Sequence, residues 1–165
     1  MEEKALRVGI AGYGVVGKRR RSFIDQHVNM QTVAVCDIKF QGCETLPDGV
    51  KCFQNYHQLL EVPIDVLFIC SPNYLAPEIT IAGLKRNLHI FCEKPPGRTV
   101  KDIEEVIKVE KQHPGLLLKY GFNHRYHDSV REAQKIVKSG ELGEIINMRG
   151  IYGKSKIDPF SGGWR

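Results

Sequence analysis

The sequence predicts an α/β protein: a doubly wound parallel sheet, followed by only the start of a second α/β domain. Short apolar runs alternate with amphipathic segments six times along the chain. The runs are mostly continuous rather than alternating, as in strands buried on both faces. A glycine-rich turn joins the first run to the first helical segment. Strand and helix in regular alternation make a parallel sheet with helical crossovers.

The first strand is "LRVGIAG" (6–12), and a helical segment follows over roughly 15–26. The next runs are "QTVAVCD" (31–37), "IDVLFICS" (64–71), "LHIFCE" (88–93) and "GLLLKYGF" (115–122), with "VKCF" (50–53) as one more short strand. Helical segments fall at 55–60, 75–86 and 100–112. In the last of these, Val100, Ile103, Val106, Ile107 and Glu110 mark one face, with Lys and Glu on the other. "DSVREAQKIVKSGELG" reads as a final helix ended near Gly140 by a left-handed cap. The rhythm then breaks. "EIINMRGIYGKS" alternates weakly and is expected to form a strand over 144–152, which has no obvious partner in a finished sheet. The expected division is therefore a dinucleotide-binding domain over 1–143 and, over 144–165, the beginning of a truncated substrate domain.

Composition excludes several classes of function. The chain has 165 residues, 42% hydrophobic and 26% charged, with a formal charge of +5. No apolar run approaches the roughly 20 residues of a membrane helix. The N-terminus has no signal-peptide pattern, so a cytoplasmic protein is expected. The basic residues form no stripe interleaved with aromatics, and nucleic acid is not indicated. None of the five cysteines forms a C-x-x-C pair, so they read as reduced thiols rather than metal ligands, and no metal is expected.

Gly12, Gly14 and Gly17 in "GIAGYGVVGK" spell G-x-G-x-x-G between a strand and a helix, the context that makes this pattern a dinucleotide fingerprint. Gly12 permits the tight turn, Gly14 lets the backbone approach a pyrophosphate, and Gly17 lets helix and strand pack closely. The helix N-terminus presents free N–H groups to the phosphates. Tyr13, Val15 and Val16 of the same turn belong to the cofactor-binding set. The run Lys18–Arg21 reads as a solvated basic face, of which one or two residues could reach a phosphate. Asp37 closes the second strand where the fingerprint expects an acid for the ribose hydroxyls. It favours NAD, while Lys39 leaves NADP open. Ser71, Pro72 and Asn73 follow the fourth strand, where ligands of open α/β sheets bind, although Ser-Pro-Asn is equally a good turn sequence. Glu93 and Lys94 end the next strand on the same edge.

In order and spacing, "GYGVVG", Asp37, "SPN", "EKP" and "GFNHRYHDSV" resemble the glucose–fructose oxidoreductase / inositol dehydrogenase (Gfo/Idh/MocA) family over nearly the whole chain. The resemblance implies an NAD(P)-binding Rossmann domain and a C-terminal domain with a large open sheet. It implies hydride transfer between a nicotinamide and a carbon of a sugar or nucleotide-sugar, in a homo-oligomer at full length. It makes Lys94 the catalytic residue, exchanging a proton with a substrate hydroxyl, with Glu93 orienting the lysine or the nicotinamide ribose. It marks the Lys94–Pro95 bond as a candidate cis peptide. Asn123 lines the cofactor cleft, and Trp164 and Arg165 match a pair that reaches the dinucleotide. Arg125, Tyr126 and Lys154 are weaker candidates for substrate contact. His124 and His127 read as hydrogen-bonded structural residues, with a substrate contact as the alternative for either. The sequence departs from the family at Ala76, where a His is usual, and at Pro96 and Gly97, where an apolar residue is usual after Glu-Lys-Pro. The family's Asp…His pair, carried by its second domain, is absent, so the chain alone is expected to be inactive. A non-catalytic dinucleotide-binding module or redox sensor is the alternative, and a glycosidase using NAD transiently is a third reading.

Overall fold

Runs rich in Val, Ile, Leu and Phe become strands because these side chains pack well on a pleated, buried surface. The structure, a computed structural model, describes residues 5–151 and 153. In chain order the elements are β1 (Leu6–Ala11), α1 (Val15–Ile24), β2 (Met30–Cys36), β3 (Cys43–Thr45), β4 (Lys51–Phe53), α2 (Tyr56–Leu59), β5 (Val66–Ile69), α3 (Ala76–Lys85), β6 (His89–Cys92), α4 (Val100–Glu110) and β7 (Leu118–Tyr120), then a 3₁₀ turn (Asn123–Tyr126) and α5 (Asp128–Ser139). The chain divides into two units, Met1–Gly121 with the whole sheet and Phe122–Arg165 with the 3₁₀ turn and α5.

The sheet of the first unit runs β3-β4-β2-β1-β5-β6-β7. Every pairing is parallel except β3 with β4. Without β3, this is the doubly wound order, and the winding reverses between β1 and β5. Side chains alternate across the strands and divide the core in two. Val8, Ile10, Val35 and Val66 lie with Ile24 of α1 on one face. Ala11, Ala34, Leu67, Ile69, Ile90 and Cys92 lie with α2, α3 and α4 on the other, against Leu59, Ile79, Leu84 and Val106. At about 25 cal/mol per Å² of apolar area removed from water, each such fully buried Leu or Ile stabilises the fold by about 1.5–3 kcal/mol.

Local chemistry sets the helix ends. Thr99 Oγ1 accepts a hydrogen bond from the Asp102 N–H at 3.2 Å, and the Asp102 carboxylate accepts from the Thr99 N–H at 3.0 Å. This capping box starts α4. Gly140, with φ of +80°, ends α5 in the left-handed conformation expected of it. The face of α4 is narrower than its periodicity suggests. Val106 is buried, but Val100 is 76% exposed and Ile107 lies toward solvent.

Two expectations change. β3, with all its residues exposed, adds an antiparallel edge that hydrophobic patterning misses. The expected strand over 144–152 is absent from its described part, residues 144–151. A strand forms by pairing, and this segment pairs with no strand among the described residues. Ile146, Met148 and Ile151 are accordingly exposed, and Tyr152 lies outside the described residues. No helix among the described residues is long and apolar enough to cross a membrane.

All five cysteines are free. Burial pushes the Cys36 and Cys92 thiols from 9.0 up to about 12. In the unfolded chain they ionise first, so between about pH 9 and 12 the unfolded state binds fewer protons than the folded one. Stability should therefore fall as pH rises through that window, by up to about 1.4 kcal/mol per pH unit for each thiol. Urea midpoints at about pH 8 and pH 10 should show this drop, and Cys36→Ala should make it shallower. At about pH 8, a thiol reagent should label exposed Cys43 well before buried Cys36, Cys52 and Cys92.

Candidate functional site

Parallel register brings the carboxyl ends of the strands into one row. Ala11 of β1 pairs with Cys36 of β2 and Ile69 of β5, and Ile69 pairs with Cys92 of β6. The residues just beyond that row are Gly12, Asp37, Cys70–Ser71 and Glu93. The topology therefore gathers motifs spread over some eighty residues of sequence along one edge, centred on the reversal between β1 and β5.

The glycine turn is built by close approach. Gly12 has φ of +93°, and a Cβ there would come within 2.6 Å of the Cys70 carbonyl. A Cβ on Gly17 would lie 2.0 Å from the Gly12 carbonyl oxygen, so only glycine lets α1 pack against the end of β1. Gly14 is different: a Cβ there would have nothing within 4 Å. Space stands open over the N-terminus of α1, where no side chain supplies a cap. Uncapped N–H groups with the helix dipole behind them suit a phosphate. Val15 is 77% exposed and Val16 42%, at the mouth of the same turn.

Asp37 is held from two sides. Its Oδ2 accepts from the Tyr13 N–H at 2.9 Å and its Oδ1 from the Lys39 N–H at 3.1 Å. A carboxylate has about four acceptor positions, so capacity remains for ribose hydroxyls. The Tyr13 ring stacks on Phe40, with centroids 6.1 Å apart, and its hydroxyl accepts from Arg21 Nη1 at 2.8 Å. Ser71 Oγ donates to the Ala11 carbonyl at 3.1 Å and ties the end of β5 to the glycine turn. The Pro72 carbonyl accepts from the Leu75 N–H at 3.0 Å, so Ser71–Asn73 form the turn into α3 while bordering the same edge.

Beyond β6 the Lys94–Pro95 peptide is cis, as the resemblance implies. Lys94 is exposed and has no ion pair among the described residues. Glu93 turns the other way. Its Oε1 accepts from Arg20 Nε at 2.6 Å and pairs with Arg20 Nη2. Lys18–Arg21 is thus not simply a solvated face. Arg20 holds Glu93, and Arg21 holds Asp25, Asp48 and the Tyr13 hydroxyl. Glu93, expected to orient the lysine or a ribose, is engaged by Arg20. Successive residues of a helix point about 100° apart, which separates the partners of Arg20 and Arg21. Arg20, three positions after buried Gly17, falls on the sheet side, a signal present in the sequence spacing.

Asn123, Arg125 and Tyr126 lie in the second unit, on its 3₁₀ turn. There the His124 and His127 rings stack 4.8 Å apart, and Arg131 lies over the Tyr126 ring. Lys154, Trp164 and Arg165 lie outside the described residues. An open cleft of about 410 Å³, bordered by Leu60, Pro63, Arg86 and Leu88, opens in the first unit at the amino ends of β5 and β6, the edge opposite the glycine turn and Asp37.

The turn, the open helix N-terminus and the anchored Asp37 fit a dinucleotide. The family model described as "Oxidoreductase family, NAD-binding Rossmann fold" matches residues 6–122. The chain belongs to this Gfo/Idh/MocA family. Among its relatives, an inositol 2-dehydrogenase of Salmonella paratyphi B is 29% identical over 160 residues, 93% of this chain and 48% of that protein. A D-glucoside 3-dehydrogenase of Escherichia coli is 33% identical over 150 residues, 88% of this chain and 42% of that protein. The crystal structure of a scyllo-inositol dehydrogenase from Lactobacillus casei, with bound NAD(H) and scyllo-inositol, superposes with a TM-score of 0.74 at 27% identity, covering 86% of this chain and 43% of that one. The chain spans about half the length of the curated relatives it matches. The Gfo/Idh/MocA match accounts for the sheet order as well as the glycine turn.

Two substitutions separate fold from ligand. Gly14→Ala enters open space and should cost the fold no more than a poor helix cap, about 1 kcal/mol. It should nevertheless weaken NADH binding at least tenfold, because the methyl group fills the phosphate approach. Gly12→Ala should lower the melting temperature as well as binding, because it meets the Cys70 carbonyl. Thermal melts and NADH titrations of both variants check this contrast.

Proposed function

We propose that this chain is the NAD-binding part of a dehydrogenase that moves hydride between nicotinamide and a hydroxyl-bearing carbon of a sugar, cyclitol or nucleotide-sugar. The observation that carries the reading is the single sheet edge on which the glycine turn, Asp37, the Ser71–Asn73 turn and Lys94 meet. The dehydrogenase relatives named above support the substrate class. NAD, when bound, supplies the hydride acceptor or donor. Gly12, Tyr13, Gly14, Val15 and Val16 would hold its pyrophosphate, and Asp37 its adenosine ribose. Ser71, Pro72 and Asn73 would border it between the β1 and β6 ends.

Lys94 is the residue in this chain for proton exchange with the substrate hydroxyl. The residue is exposed at the strand end and has no ion pair with a carboxylate among the described residues. A pure dinucleotide sensor has no need of such a lysine. Asn123, Arg125 and Tyr126, with Lys154, Trp164 and Arg165, are proposed to complete the cleft. We place the functional boundary at 143/144, with 144–165 beginning the substrate-holding domain. The left-handed glycines Gly140 and Gly143 punctuate the chain just before it. A cytoplasmic homo-oligomer is the setting we propose for the full-length protein.

The chain should bind NADH, and more tightly than NADPH, because Asp37 repels a 2′-phosphate. Calorimetric titration with both nucleotides tests this, and tighter NADPH binding would refute the role of Asp37. Asp37→Ala should narrow the gap. In a polypeptide with the full length of the relatives, Lys94→Ala should cut turnover by about 10²–10⁴-fold while changing NADH binding little. Near-normal turnover in that variant would mean the proton goes elsewhere.

A further inference from the structure

Arg20 connects two parts of the site that the sequence keeps 73 residues apart. It projects from the second turn of α1, beyond the glycines that face the phosphates. Phe91 and Glu93 are two residues apart and therefore share a face of β6 and its extension, opposite Ile90 and Cys92. Arg20 engages both. Its guanidinium lies 5.0 Å from the centroid of the Phe91 ring, and Phe91 stacks on Phe68 at 4.9 Å. Its Nε donates to Glu93 Oε1, and its Nη2 pairs with the same oxygen. The other oxygen, Oε2, packs where a Cβ on Gly121 would approach it to 3.0 Å. The Glu93 side chain is only 14% exposed and that of Arg20 29%.

Lys94 is the next residue along the chain, exposed and without an ion pair among the described residues. Adjacent carboxylate and ammonium groups at a strand end attract one another, and a carboxylate with no other cation would draw the lysine to itself. Here Arg20 supplies that cation, through charge-assisted hydrogen bonds.

We propose that Arg20 is a positioning residue for proton exchange at Lys94. It keeps Glu93 on the sheet face and off the lysine amine, so that Lys94 stands without an ion pair among the described residues. The proposal deepens the reading of Lys94 as the proton-exchanging group and rests on it.

Acylation of the cofactor-free chain by acetic anhydride at about pH 8 and low salt, followed residue by residue by peptide mass spectrometry, tests it. Only an unprotonated, accessible amine reacts. In Arg20→Ala the released carboxylate should pair with Lys94 and slow its acylation by about three- to tenfold, as a modest increase in proton affinity does. Lys108, on the far side of α4, should keep its rate. Arg20→Lys should restore most of the Lys94 rate, and Arg20→Ala with Glu93→Gln should restore it fully. A merely structural tie would leave Lys94 equally or more reactive in Arg20→Ala, which overturns the proposal. So does slow acylation that persists in the double variant. Glu93→Gln alone covers the case in which Arg20→Ala does not fold. Its Lys94 rate should stay within about twofold of wild type, because Arg20 already withholds the carboxylate, and a three- to tenfold rise would show Glu93 pairing with Lys94 after all. NADH titration of the wild-type chain separates the two levels. Absence of binding removes the dinucleotide reading and leaves the acylation result to decide the role of Arg20.

Discussion

A parallel sheet sends every strand in the same direction, so every strand hands its chain to a loop on the same edge. Here that constraint places Ala11, Cys36, Ile69 and Cys92 in one row. Each is followed by a residue with polar or conformational work to do. The crossovers that make the sheet parallel also divide the helices between its faces. α1 follows β1, one of the two strands between which the winding reverses. Its N-terminus therefore opens toward the edge and cannot be capped by its own side chains without closing the space a phosphate requires. The missing cap is the local cost of the site, and burial of β1 between β2 and β5 supplies the stability that offsets it.

The electrostatics follow from the same placement. Three arginines and a lysine in the early turns of a helix oppose its dipole. The protein answers with acids, one at the helix's own C-terminal end and two brought from elsewhere in the chain. Asp25 and Asp48 meet Arg21, and Glu93 meets Arg20. Positive charge near the phosphate turn is retained while its ends are fixed. Removing one partner of the half-buried Arg20–Glu93 pair leaves a charge with poor access to water, a cost of about 1–3 kcal/mol in such surroundings. The pair is therefore mechanical as well as electrostatic. It fastens α1 to the turn that carries Lys94.

Much of this could be read from the sequence because strand burial and turn chemistry are local. Continuous apolar runs gave the parallel strands, and Gly12, Gly14 and Gly17 occur in the one context where their spacing has a mechanism. Asp37 followed from its distance along the chain. What escaped was set by tertiary partners. β3 has three exposed residues and no periodicity, although Pro47, Asp48 and Gly49 make a turn that announces a hairpin. The expected strand over 144–152 has the right residue types, but its described part pairs with no strand among the described residues, and propensity without a partner does not make a strand. The pairing of Arg20 with Glu93 needs the positions of α1 and β6 together, which no window of sequence contains.

Glu93 and Lys94 also explain why opposite charges should sit side by side where a core strand reaches the surface. Backbone alternation sends neighbouring side chains to opposite sides of a strand. One residue of the pair can therefore belong to the face and the other to the edge. Glu93 continues the face that Phe91 begins, and there it meets a helix rich in arginine. Lys94 is left at the edge, where the loops that follow β1, β2 and β5 converge. A carboxylate in the next position would ordinarily make a lysine less able to release its proton. The same carboxylate, held on the far side by the Arg20 guanidinium, instead anchors the turn from which the lysine projects. The strand-end pair is thus two separate interactions that share a peptide bond: alternation starts the two side chains in different directions, and Arg20 holds Glu93 to its side.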